Sequence, residues 1–156
     1  MALRRVLGCF ATGVAVATTV GEKGAPVGLT VNSFNSVSLS PPLILWTISL
    51  SAPSRRAFCA HPAFAINILS NEQRDLCAQF SRPSDNKFAG VAYKAGFEGV
   101  PILTNSLATL ECRIYRRDHG GDHQIYLGEV INLAASDKAP LIVHRGQFAE
   151  LMALPV

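Results

Sequence analysis

Apolar, β-branched runs too short to be helices, each fenced by turn residues, set the limits on what this chain can become. Residues 43–50 (LILWTISL) follow Pro41 and Pro42, which exclude a helix at that point and stiffen the entry to a buried strand. Residues 14–20, 27–34 and 64–69 have the same character, with GEKGAP forming a long hairpin loop between the first two. Residues 37–39 add a short extended piece before the prolines. Two longer runs, 107–116 and 123–134, flank DHGGD and predict a second hairpin. Residues 140–145 read as a last strand. Helical patterning is confined to residues 2–10, to residues 54–60, and to a stretch running from a cap at Ser70 or Asn71 to Gln79 or Phe80. Residues 81–99 are polar and read as an ordered loop. About six strands with two or three short helices predict a mostly β chain, an antiparallel barrel with helical decoration.

The 156 residues suffice for a single domain, 1–156, that buries its own core without a metal or disulfide staple. With 49% hydrophobic and only 16% charged residues, the chain has apolar surface to spare for a subunit interface. The net charge of +3 is scattered as arginine pairs (Arg4-Arg5, Arg55-Arg56, Arg116-Arg117), which argues against a nucleic-acid binder. Four dispersed cysteines, Cys9, Cys59, Cys77 and Cys112, form no CxxC pair or zinc knuckle and read as reduced thiols of a cytoplasmic protein. Residues 1–20 carry some marks of an export signal, but glycines and threonines interrupt the apolar stretch, and residues 14–20 read better as a buried strand. No segment is long enough to span a bilayer. Dinucleotide-binding GxGxxG, the phosphate loop, HExxH and GxSxG are all missing, and the four histidines form no metal pair, so no metal site is expected.

Several polar residues sit where a ligand could use them. Thr30, Asn32, Ser33 and Phe34 crowd a strand end, and Thr47 and Ser49 share one face of an otherwise apolar strand, opposite Ile48. Ser51, Ser54 and Arg55 stand at a helix start, where unpaired amides favour a phosphate. His123 opens a strand directly after Gly120-Gly121-Asp122.

Taken in order, FATGVAVAT (10–18), GLTVNSF (28–34), SVSLSPP (36–42), FAINIL (64–69), DNKF (85–88), GDH (121–123) with LGEV (127–130), and HRGQF (144–148) resemble the flavin reductase-like family. These are the small reductase components of two-component flavin monooxygenases. The resemblance implies an FMN-binding split barrel and a homodimer with flavin near the subunit interface. It also implies an NAD(P)H:flavin oxidoreductase that takes hydride from NADH or NADPH, reduces FMN or FAD and passes reduced flavin to a partner monooxygenase. By the same resemblance, Thr30, Val31, Asn32, Ser33, Phe34, Ser38, Thr47 and Ser49 would border the flavin ring. Ser51, Ser54, Lys87 and Phe88 would serve its phosphate and ribityl chain. His123 would lie beside the nicotinamide as the catalytic residue, with His144, Arg145 and Gly146 as a second wall and Phe148 a lid. Trp46 is expected in the core. Alternative readings are a tight flavin-binding electron carrier, a reductase of another acceptor such as a corrinoid, and a β-barrel interaction module without enzymatic activity.

Overall fold

The computed structural model describes residues 2–152. A short helix, α1 (Ala2–Leu7), precedes β1 (Thr12–Gly13), β2 (Ala15–Val20), β3 (Pro26–Val31), β4 (Asn35–Leu39) and β5 (Pro42–Ser49). Then follow α2 (Arg55–Ala60), β6 (Ala63–Ile68), α3 (Arg74–Ser81), β7 (Tyr93–Ala95) and β8 (Pro101–Leu103). A long hairpin of β9 (Ala108–Gly120) and β10 (His123–Ala135) leads to a small one, β11 (Ile142–His144) and β12 (Gln147–Ala149).

Seven strands form one antiparallel sheet in the order β3-β2-β6-β9-β10-β5-β4. Its two borders, β3 and β4, are consecutive in the chain and joined by residues 32–34 alone. That short link bends the sheet round until its borders approach, giving the split barrel expected from the sequence. Strands β1, β11 and β12 form a second sheet, and β7 pairs with β8.

Burial follows the strand periodicity. Along β5, Ile44, Trp46 and Ile48 are buried while Leu45, Thr47 and Ser49 are half-buried. Trp46 stacks on Tyr126 at 5.0 Å and meets Phe58 edge-on at 4.9 Å, in the core as the sequence suggested. Strand β2 is covered on both faces: Ala15 and Ala17 join the Trp46 cluster, while Val14 and Val16 pack with Phe80, Phe88 and Leu141. Residues 15–20 are thus internal to the sheet, between β3 and β6, as the strand reading required. Asn67 is fully buried and fully used: its amide nitrogen donates to the Val16 carbonyl and Thr18 Oγ1, and its oxygen accepts from Leu103 N–H at 2.8 Å. This pins β8 across β2 and β6. Helix α3 lies tight on β3 because residue 28 is glycine; a Cβ there would stand 2.8 Å from the Phe80 ring.

The structure departs from the sequence reading in four places. The long hairpin turns in two residues, Gly121 and Asp122, with Gly121 at φ +65°; residues 117–120, polar enough to look like loop, are paired strand. The polar segment 81–99 contains β7, and residues 147–149 fold back as β12. Helix α1 stops at Leu7 and buries none of its residues, leaving Leu3, Val6 and Leu7 exposed.

Candidate functional site

The link between the sheet's two borders is held by Ser33. Its hydroxyl donates to the Thr47 carbonyl at 3.2 Å and accepts the Thr47 N–H at 3.0 Å, fastening the link to β5. Val31 belongs to the core, Phe34 packs half-buried against it, and Asn32 projects to solvent. Thr30 Oγ1 donates to the Cys77 carbonyl at 2.8 Å, so this hydroxyl docks α3. Ser38 is half-buried on β4 opposite Leu43.

The end of β5 and the tip of the long hairpin meet. Ser49 and His123 are register partners, and Leu50 N–H donates to the Asp122 carbonyl at 2.9 Å. The hydroxyls of Ser49 and Ser51 lie 2.8 Å apart. Arg55 Nε donates to the Leu50 carbonyl at 3.3 Å, which sets its guanidinium beside this pair. Ser54 caps α2 by position, yet its hydroxyl makes no capping bond. Helix α2 is only six residues long, so little dipole is available, and attraction for an anion falls to Arg55 and the hydroxyls. His123 Nδ1 is 2.7 Å from Asp122 Oδ1, and the hydrogen bond to His123 holds the Asp122 carboxyl below its ordinary range.

Lys87 and Phe88 approach from the far side of α3. Lys87 Nζ donates to the Phe80 carbonyl at 2.8 Å, and burial lowers its pKa. The Gln79 amide donates to the carbonyls of Lys87 and Ala89, tying the loop to the helix. Phe88 is buried edge-on to Phe80 at 4.9 Å. His144 ends β11 opposite Gln147, Arg145 and Gly146 form the turn to β12 with both at positive φ, and Phe148 remains partly exposed on β12. The geometry therefore gathers Asn32, Ser33, Thr47, Ser49, Ser51, Arg55 and His123 around the β5 end, while the hydroxyl of Thr30 and the amine of Lys87 are engaged in docking α3 and its following loop.

The model of the flavin reductase like domain matches residues 7–152. The chain belongs to the flavin reductase-like family. This flavin reductase-like chain is 43% identical over 145 residues to an NADH-dependent FMN reductase of Agrobacterium fabrum, covering 93% of this chain and 82% of that protein. It is 39% identical over 146 residues to the reductase subunit of a flavin-dependent monooxygenase of Rhodococcus jostii, covering 93% and 74%. Among solved structures, the NADH:FAD oxidoreductase of Streptomyces globisporus in complex with NAD and FAD fragments superposes with a TM-score of 0.91 at 39% identity, over 96% of this chain and 91% of that one.

Two features of this flavin reductase-like chain escaped sequence reasoning. Asp122 was visible only as a turn residue, although its adjacency to His123 was the available signal. The second is the surroundings of Cys59, whose thiol lies 3.3 Å from Gln124 Oε1, 3.4 Å from Tyr126 Oη and 3.6 Å from Arg55 Nη1. Burial opposes ionisation of this thiol, but Tyr126, Arg55 and Arg117 together outweigh it and lower its pKa. No local pattern in the sequence announces a contact between residues 59 and 126.

Proposed function

We propose that this chain is an NAD(P)H:flavin oxidoreductase that reduces FMN or FAD and supplies reduced flavin to a partner monooxygenase. The observation that carries the reading is the meeting of the 32–34 link, the Ser49–Ser51 hydroxyl pair, Arg55 and the Asp122–His123 tip at one end of the sheet.

The donor set fits a flavin. Asn32 is exposed, Ser49 and Ser51 have exposed hydroxyls bonded to each other, and Ser54 carries a hydroxyl not spent on its helix. Arg55 offers a guanidinium for a phosphate, a charge-assisted contact. Bound flavin supplies the hydride-accepting ring, which is why a protein with no nucleophile or metal motif can serve the reaction. The protein's part is orientation and electrostatics. Ser33 holds the 32–34 link against β5 beside these donors. Asp122, a carboxylate against Nδ1, sets the His123 tautomer with the proton on Nδ1 and leaves Nε2 as an acceptor for an amide N–H of the nicotinamide.

Single-domain chains paired as a homodimer accord with the apolar side chains left at the surface, including Leu39 on β4 and Leu133 on β10, which are 94% and 74% exposed. A relative that is the reductase subunit of a flavin-dependent monooxygenase supports the oxygenase partner. Four unpaired thiols accord with a cytoplasmic setting, and no helix among the described residues is long and apolar enough to cross a membrane.

The test is to titrate purified protein with FMN and FAD and to follow oxidation of NADH and NADPH under air. Rapid flavin-dependent oxidation is the expected result; absence of flavin binding, or binding without nicotinamide oxidation, overturns the reading.

A further inference from the structure

A cleft of about 770 Å³ opens between the end of α1 and the β11–β12 turn, lined by Arg4, Arg5, Val6 and Cys9 on one side and Arg145 and Gly146 on the other. Its walls are fastened to each other. Arg145 N–H donates to the Gly8 carbonyl at 2.8 Å, and Arg145 Nη2 lies 3.6 Å from Cys9 Sγ. The backbones lie close at Gly8, where a Cβ would meet Arg145 Cα in ordinary contact at 3.5 Å and crowd the Arg4 carbonyl at 3.2 Å. The turn itself holds Arg145 at φ 50° and Gly146 at φ 76°.

Three guanidiniums thus face one cleft that no carboxylate lines, and none of the three takes part in an ion pair among the described residues. Such a concentration of unspent positive charge suits a polyanion, and guanidinium groups suit phosphate in particular because they bind it through two parallel hydrogen bonds. Arg4 is close enough to Asp122 for its charge to help keep that carboxyl ionised, after the larger effect of His123 itself.

We propose that this cleft holds phosphate groups of the reduced nicotinamide dinucleotide, with Arg4, Arg5 and Arg145 as its anion contacts. The proposal rests on the reading of NAD(P)H as hydride donor. It gives α1 a task that its packing does not, since the helix contributes nothing to the core. The shared chemistry is a phosphate, and it has two sources in the donor: the pyrophosphate of either dinucleotide, or the 2′-phosphate of NADPH.

Calorimetric titration of flavin-free protein with NAD⁺, ADP and 2′,5′-ADP, on wild type, Arg4→Ala/Arg5→Ala and Arg145→Ala, tests this without turnover. Loss of charge-assisted contacts should weaken binding of ADP or of 2′,5′-ADP roughly tenfold or more, with FMN affinity held. A larger loss for ADP than for 2′,5′-ADP, which carries no pyrophosphate, assigns the pyrophosphate; a larger loss for 2′,5′-ADP assigns the 2′-phosphate. Because Arg145→Ala alters a turn residue, the exposed helix pair Arg4 and Arg5 supplies the independent variant. Nucleotide affinities equal to wild type in both variants overturn the proposal, as does a loss confined to FMN. Failure of wild type to oxidise NADH or NADPH instead defeats the parent reading, and it is seen in a separate assay.

Discussion

Asp122 and His123 are neighbours in the chain and bonded through their side chains, with Oδ1 of one 2.7 Å from Nδ1 of the other. The same Asp122 accepts Leu50 N–H through its main-chain carbonyl, so the hairpin tip is moored to β5 while its carboxylate is turned on the imidazole. The arrangement aims one ring nitrogen and leaves the other for a ligand.

Replacing Asp122 by Asn should therefore act through His123. A neutral amide can present either face to Nδ1, and the tautomer is no longer fixed. Steady-state kinetics should show nicotinamide use impaired several-fold with FMN affinity retained, and His123→Ala should do the same more severely. Unchanged NADH kinetics in His123→Ala would remove this residue from the site.

Ser33→Ala removes both halves of a reciprocal contact and leaves the half-buried Thr47 N–H without its acceptor. The loss should be about 1–3 kcal/mol in urea unfolding. Because the link also adjoins the donors proposed for flavin, FMN titration should show weaker binding; a stability loss with unaltered flavin affinity would separate Ser33 from the site.

Lys87 provides a pH test. Burial holds its amine below the ordinary 10.5. The folded chain thus gives up this proton at a lower pH than the unfolded chain does. Between the two values the unfolded state binds more protons, and stability rises with pH in that window. Thermal melts from neutral pH to about 10.5 should show this rise in wild type and not in Lys87→Met. If Lys87 also serves the flavin phosphate, the same variant loses FMN affinity; if it only caps α3, affinity is retained.

Gly128→Ala is expected to be the most damaging small change. Its Cβ would stand 2.4 Å from Phe64 Cζ and 2.9 Å from Cys112 Cβ, in the middle of β10 between β5 and β9. Neither neighbour can withdraw, since both are fully buried. Overpacking of this kind should cost about 3 kcal/mol, read by urea unfolding.

How far the sequence reached can be seen at particular residues. Trp46 was legible as core, and Thr47 with Ser49 as one polar face, because strand alternation survives tertiary packing unchanged. The strand character of residues 117–120 was not, because their polarity reflects a free edge: β6 pairs with β9 only as far as Arg113, while β10 and β5 run on beside it. The pattern of residues 2–10 suggested an amphipathic helix, but Leu3, Val6 and Leu7 stay exposed among the described residues. For Thr30 and Lys87 the residue type signalled a polar task, yet whether a hydroxyl or amine meets a ligand or a carbonyl depends on α3 and its loop, whose position no local pattern encodes. The cleft formed by Arg4, Arg5 and Arg145 joins the two ends of the chain and lay beyond any reading by adjacency.

The three-residue link between β3 and β4 marks a seam, where the curled sheet relies, among the described residues, on a connection in place of a ladder. A molecule lodged there would act as a cross-brace between borders that share no strand pairing. Occupancy should then register as resistance to heat, with free ligand at a hundred times its Kd adding about 2.7 kcal/mol to the folded state. An emptied seam would then be a looser barrel than a filled one.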